Sequence, residues 1–242
     1  PEYILKTKYT IIDGTSIKDV AETFSSILNI SSEEILKQWK DEKFLKTLIE
    51  QYWFIDESIL NKDLMYPLEG YLYPETYFCF EETPSLLSLT LEPINALSKV
   101  LEPYKEQIKE LNMSIHEFLS FVSVVQRETL FEKDLSQIAG VFKNRLDINM
   151  ALQSDITVNY AWQRTGVDVS IKHTQIDSPY NTYKYPGLPV GPICLVNETA
   201  IKACLDITDH DYYYFFALQD GTVIYSKTYN EHLKVVKENK WY

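Results

Sequence analysis

The sequence is poor in the residues on which several common kinds of protein depend. Glycine occurs only seven times in 242 residues, too rarely for a collagen-like or low-complexity chain. The three cysteines, Cys79, Cys194 and Cys204, are an odd set without a C-x-x-C pair. That excludes a disulfide framework and a thiolate zinc site, and leaves buried thiols as the reading. The four histidines, His116, His173, His210 and His232, have no helical i, i+4 partner, so no metal site is expected. Nothing in the pattern asks for a cofactor. There is no apolar run of eighteen residues to span a bilayer, and no signal peptide at the start. Positive charge is also short. Lys and Arg number 23 against 35 Asp and Glu, a net charge of −12, which argues against a nucleic-acid partner. The nucleophile and phosphate motifs G-x-S-x-G, S-x-x-K, H-E-x-x-H and the P-loop are all missing.

Apolar periodicity is well supplied. Ile17, Val20, Phe24, Ile27 and Leu28 are spaced as on a helix, with Thr15 or Ser16 as its cap. Capping-box pairs at Ser31/Glu34, Ser114/Glu117 and Thr228/Glu231 mark three more helix starts. Residues 9–13 read as a short strand. Residues 84–112 read as a long helix bent near Pro103, and residues 134–146 as a further helix. "YYYFFAL", a "QDG" turn and "TVIYSK" read as a hairpin. Two stretches resist regular structure: "LMYPLEGYLYPETYFCF" (64–80) and "SPYNTYKYPGLPVGPI" (178–193), both rich in Tyr and Pro. The fold class is α+β. Helices surround a small antiparallel sheet with a C-terminal hairpin, preceded by a small N-terminal helical subdomain. The division is placed at 1–60 and 61–242.

"SIHEFLSFVSVVQRETL" carries the candidate chemistry. On a helical wheel Phe118, Leu119, Phe121, Val122, Val124 and Val125 fill a wide arc. His116, Ser120, Ser123 and Arg127 share the narrower polar side. Glu128 projects inside the apolar arc and is expected to point inward, with Arg127 outward. A carboxyl in an apolar setting has its neutral form favoured, which suits a general acid. The ordinary alternative is a paired or rim-exposed glutamate. The eighteen tyrosines are compatible with a sugar-binding groove, and equally with core and surface filling.

Five blocks in order, "EGYLYPETY" (69–77), "SVVQRET" (123–129), "IAGVFKNRLDINMALQSDITVNYA" (138–161), "SPYNTYKYPGLPVGPI" (178–193) and "YFFALQDGTVIYSKTYNEH" (214–232), resemble the YceG-like family of endolytic murein transglycosylases. The resemblance implies cleavage of peptidoglycan strands between N-acetylmuramic acid and N-acetylglucosamine, leaving 1,6-anhydro ends. It aligns Glu128 with the catalytic glutamate of the family's E-[KR]-E-T motif, and puts Gln126 where the family has its first glutamate. Gln153 and Asp155 would line the substrate groove, with a helix cap as the other reading of Asp155. Tyr180, Asn181, Thr182 and Tyr183 match the family's Y-N-T-Y block. They are candidate substrate contacts, or simply turn formers. Glu69 and Tyr73 are further candidates for the site, and Arg145 reads as a structural ion-pair partner. Departures occur at Val190, at "LVN" (195–197) and at Val223, where many members have His. They leave room for a non-catalytic glycan-binding or scaffolding domain as the alternative. Peptidoglycan glycan strands are the expected partner, with cell-wall synthases left open. The expected location is the outer face of the cytoplasmic membrane, held by an N-terminal anchor upstream of Pro1; the resemblance also implies a LysM-like module outside this chain.

Overall fold

A computed structural model describes residues 7–164 and 169–239. By contacts the chain forms two compact units, residues 1–123 with 190–198, and residues 124–189 with 199–242. Strand β1 (Thr7–Thr10) opens the first of these units. It pairs antiparallel with β2 (Thr76–Cys79), in the register Thr7↔Cys79 to Thr10↔Thr76.

In the first unit β1 leads into α1 (Ile17–Leu28), α2 (Ser32–Gln38) and α3 (Glu42–Gln51). Ser16 rather than Thr15 caps α1, in a reciprocal box with Asp19. The buried side of these elements is a chain of rings. Tyr9 stacks on Tyr77 at 5.3 Å and meets Phe24 edge-on, and Phe24 meets Trp39 edge-on. The indole of Trp39 donates to Thr90 Oγ1 on α4 (Leu86–Leu101). The bend expected near Pro103 is a 3₁₀ turn over Glu102–Tyr104, before α5 (Lys105–Glu110). Strand β2 is the element missed in the aromatic 64–80 stretch. Its four residues are framed by prolines, and only pairing with β1 makes them a strand.

Helix α6 (Ile115–Glu128) starts at the Ser114/Glu117 box, with both reciprocal hydrogen bonds formed. Its apolar arc is sealed: Phe118, Leu119, Phe121, Val122, Val124 and Val125 are completely buried. The polar side is buried as well, except at Arg127. Ser120 and Ser123 donate to backbone carbonyls one turn back. Ser123 Oγ also accepts from the backbone of Ile193. His116 Nε2 donates to the Val190 carbonyl, which leaves Nδ1 to accept from the Tyr71 hydroxyl. The 190–193 stretch is thus held by groups that a helical wheel assigns to solvent.

The second unit contains α7 (Leu135–Asp147), α8 (Asp155–Ala161), all but the first residue of α9 (Glu198–Leu205), a hairpin of β3 (Tyr214–Ala217) and β4 (Val223–Ser226), and α10 (Tyr229–Glu238). The hairpin is as expected, in the register Tyr214↔Ser226 to Ala217↔Val223. Among the described residues the sheet content is two two-stranded antiparallel pieces, β1–β2 and β3–β4. Phe142 of α7 meets Phe215 of β3 edge-on, and Tyr214 stacks on His232 of α10.

Gly140 lets α7 approach residues 208–210 closely. A Cβ there would lie 2.6 Å from the Thr208 carbonyl oxygen and 2.6 Å from His210 Nε2. His210 is itself fixed to the Gln137 carbonyl. Gly140→Ala gains about 1 kcal/mol of helix propensity and meets an overpacking cost of about 1–3 kcal/mol. The clash is with backbone, so it dominates. The variant should show a lower urea midpoint; a midpoint raised by the propensity gain would contradict this close approach.

Candidate functional site

The carboxyl of Glu128 sits at the last residue of α6, one residue past exposed Arg127 and half-buried. The Ser154 hydroxyl donates to its Oε1 at 2.5 Å. Burial is the largest influence on this carboxyl and raises its pKa from 4.5 to about 7. The Ser154 hydrogen bond pulls in the opposite direction, Asp155 adds to the rise, and the Arg145 charge opposes it. Desolvation prevails, so the acid is poised between its two forms near neutrality.

Ser154 occupies the position before α8 where a side chain usually caps the helix, yet its hydroxyl makes no cap bond. A ring of hydrogen bonds instead holds its backbone. Ser154 N–H donates to Thr182 Oγ1, Thr182 pairs through its hydroxyl with Thr157 Oγ1, and the Thr157 hydroxyl donates to the Ser154 carbonyl. Gln153 N–H donates to the Thr182 carbonyl. The Y-N-T-Y block therefore clasps the "LQSD" segment, which in turn offers a hydroxyl to Glu128.

The expected site residues fall into three groups. Glu128, Asp155 and Tyr183 are drawn into one cluster around Ser154. Asp155 is the first residue of α8 rather than its cap, and its Oδ1 accepts from the Tyr183 hydroxyl at 2.6 Å. Burial pushes the Asp155 carboxyl up, against that hydrogen bond. The Tyr183 phenol is also raised, first by burial and then by Asp155. Gln153 is exposed and has φ of 50°, in the left-handed region.

A second group is enclosed. Tyr180, Asn181 and Thr182 are buried to within 1% of their surface. The Tyr180 ring packs on Tyr160, and the Asn181 amide donates to the carbonyls of Thr174 and Ile176. These are contacts of the kind a turn-forming asparagine makes. The third group, Glu69 and Tyr73, belongs to the first unit. Glu69 is buried there and accepts from the backbone of Ile17 at the head of α1. Tyr73 is half-buried, and its carbonyl accepts from the Tyr77 hydroxyl.

Arg145 differs from the expected ion-pair partner. Its guanidinium donates to the carbonyls of Tyr213, at 2.6 Å, and Leu152, at 2.6 Å, and lies 5.2 Å from the centre of the Tyr214 ring. It ties "LQSD" to the hairpin. Ser154 is the residue that sequence reasoning passed over. The available signal was a serine directly before a helical run, and it was outweighed by the neighbouring aspartate. Among the described residues no group of three or more His, Cys, Asp or Glu side chains could hold a metal ion.

The sequence pattern of the YceG-like family matches residues 2–238. A curated Bacillus subtilis relative named endolytic murein transglycosylase is 34% identical over 226 residues, covering 93% of this chain and 63% of its own length. One of the same name from Streptococcus pneumoniae is 34% identical over 252 aligned positions, covering 99% of this chain and 46% of its own length. The chain thus spans about half to two thirds of these relatives. A crystal structure of a YceG-like protein of Listeria monocytogenes superposes with a TM-score of 0.90 at 34% identity, over 96% of this chain and 76% of that one.

The raised carboxyl has a consequence for stability. Between pH 4.5 and about 7 the folded protein keeps a proton on Glu128 that the unfolded chain has already released. Folding stability therefore falls as pH rises through that window. Glu128→Gln removes the effect. The variant should match wild type below about pH 4.5 and exceed it by on the order of 1–3 kcal/mol above about pH 7. Urea unfolding of both proteins across this range checks it, and a gap independent of pH would contradict it.

Proposed function

The chain belongs to the YceG-like family, and on that footing we propose that it cleaves the glycosidic bond between N-acetylmuramic acid and N-acetylglucosamine in peptidoglycan strands, endolytically, leaving 1,6-anhydro ends. The observation that carries the proposal is the carboxyl of Glu128, protonatable near neutral pH and held by Ser154 beside the "LQSD" segment. The names of the curated relatives support the substrate.

One carboxyl is sufficient for this chemistry. A glycoside hydrolase generally needs two, one as acid and one as base or nucleophile. In the proposed reaction Glu128 gives its proton to the departing O4 as the C1–O4 bond breaks. The sugar's own C6 hydroxyl attacks C1, and its proton passes to the Glu128 carboxylate. The C1–O6 bond closes the anhydro ring and the acid returns to its starting form, so no water is consumed. Because nucleophile and electrophile belong to one sugar, the attack benefits from proximity. Exposed Gln153 and the half-buried Asp155–Tyr183 pair are the polar groups we assign to substrate contact. Tyr180, Asn181 and Thr182 keep them in place.

Action outside the cytoplasm, at the outer face of the cytoplasmic membrane, follows from the same proposal, because the substrate is there. No helix among the described residues is long and apolar enough to cross a membrane. An anchor or a synthase partner is accordingly part of the proposal and rests on the family alone.

Digestion of purified peptidoglycan followed by mass spectrometry tests the activity. Wild type should release anhydro-ended fragments, and kcat/KM should decline as pH rises past about 7, where Glu128 loses its proton. Glu128→Gln keeps the shape but has no proton to give, so the rate should drop by about 10²–10⁴. Reducing ends in the products would mean a hydrolase. A glycan bound without cleavage would favour the scaffolding alternative.

A further inference from the structure

The geometry points to Ser154 as a positioning residue that assigns the two oxygens of Glu128 to different tasks, keeping Oε1 as a permanent hydrogen-bond acceptor and leaving Oε2 as the atom that exchanges the proton. The inference rests on the proposed cleavage for its meaning, but its physical content can be measured without it.

Three observations support it independently. The Ser154 hydroxyl is directed at Oε1 of Glu128, not at the start of α8, although the residue has the backbone position of a cap. Its backbone is held on both sides by the Thr182–Thr157 ring, so the hydroxyl is presented from a fixed base. The residue is also buried, with 3% of its surface exposed, so water has little access to replace the hydroxyl.

The chemistry follows from carboxyl geometry. In a neutral acid one oxygen carries the proton and the other is of carbonyl type. An oxygen that accepts a hydrogen bond from a fixed donor is stabilised in the carbonyl role, which puts the proton on the other. In the proposed reaction the same glutamate first donates and then accepts a proton. Both transfers then pass through Oε2, and the side chain need not rotate between them. A carboxylate also takes a stronger hydrogen bond than a neutral acid. Ser154 therefore limits how far burial raises the carboxyl, in line with its opposing influence there.

The experiment compares wild type with Ser154→Ala and Ser154→Thr in the full described chain. The Glu128 carboxyl is followed by ¹³C NMR titration without substrate, its signal assigned by its loss in Glu128→Gln. Ser154→Ala should move the Glu128 titration to higher pH and lower kcat on peptidoglycan roughly tenfold or more, as expected for a lost hydrogen bond to a charged group. Ser154→Thr, which restores the hydroxyl, should bring both back toward wild type. Ser31→Ala removes a genuine cap, since the Ser31 side chain accepts from Glu34 N–H. It should lower Tm and leave the Glu128 titration unmoved. If Ser154→Ala fails to fold, Ser154→Cys is read in the same titration, because it keeps the volume with a weaker donor. An unchanged titration in a folded Ala or Cys variant overturns the inference. If the titration responds to Ser154 while wild type yields no anhydro product, the cleavage reading falls and the hydroxyl–carboxyl pairing is upheld.

Discussion

A carboxyl group at the end of a helix whose preceding turns are sealed by apolar side chains cannot be hydrated as it would be in water. That desolvation of Glu128 is the constraint around which the second unit is organised. It makes the neutral acid accessible near pH 7, and it requires the remaining polar neighbours to be placed by protein rather than by solvent. The Thr182–Thr157 ring, the Tyr183–Asp155 bond and the grip of Arg145 on the Leu152 and Tyr213 carbonyls meet that requirement. Each fixes a stretch of backbone that no helix or strand would hold.

Enclosure is uneven along the Y-N-T-Y block. In the four-residue run from Tyr180 to Tyr183, three side chains face inward to fix the loop and only the last is partly open. A motif of this kind is recognisable as a block because its members depend on one another. The same holds on α6, where His116 and Ser123 spend their polar atoms on the 190–193 backbone.

Much of this was legible in the sequence. The capping pairs located helix starts because a side chain three residues away is a local event. The hairpin was legible because its alternation and turn lie within thirteen residues. The inward carboxyl followed from helical geometry alone. What escaped was non-local. Strand β2 exists only through a partner more than sixty residues away. The polar face of α6 is buried because a distant loop covers it with hydrogen-bond partners. Ser154 was passed over in favour of Asp155 as the cap, and only its folded neighbours show its hydroxyl turned to Glu128. Arg145 was read as an ion-pair residue because charge is visible in a sequence and unpaired carbonyls are not.

Gln153 carries a consequence for how sequences of this kind can drift. Among the described residues, the non-glycine positions with positive φ are Asn29, Asn112 and Asn149, of the type that tolerates this backbone, and Gln153 and Gln163, which are not. Glycine in place of Gln153 would relieve about 1 kcal/mol of backbone strain. It would also delete an exposed amide next to the serine that touches Glu128. Selection for folding alone would push this position toward glycine or asparagine, and selection for the amide would oppose it. The strained glutamine therefore serves as a gauge: wherever nothing holds the amide, the position is free to relax toward glycine or asparagine.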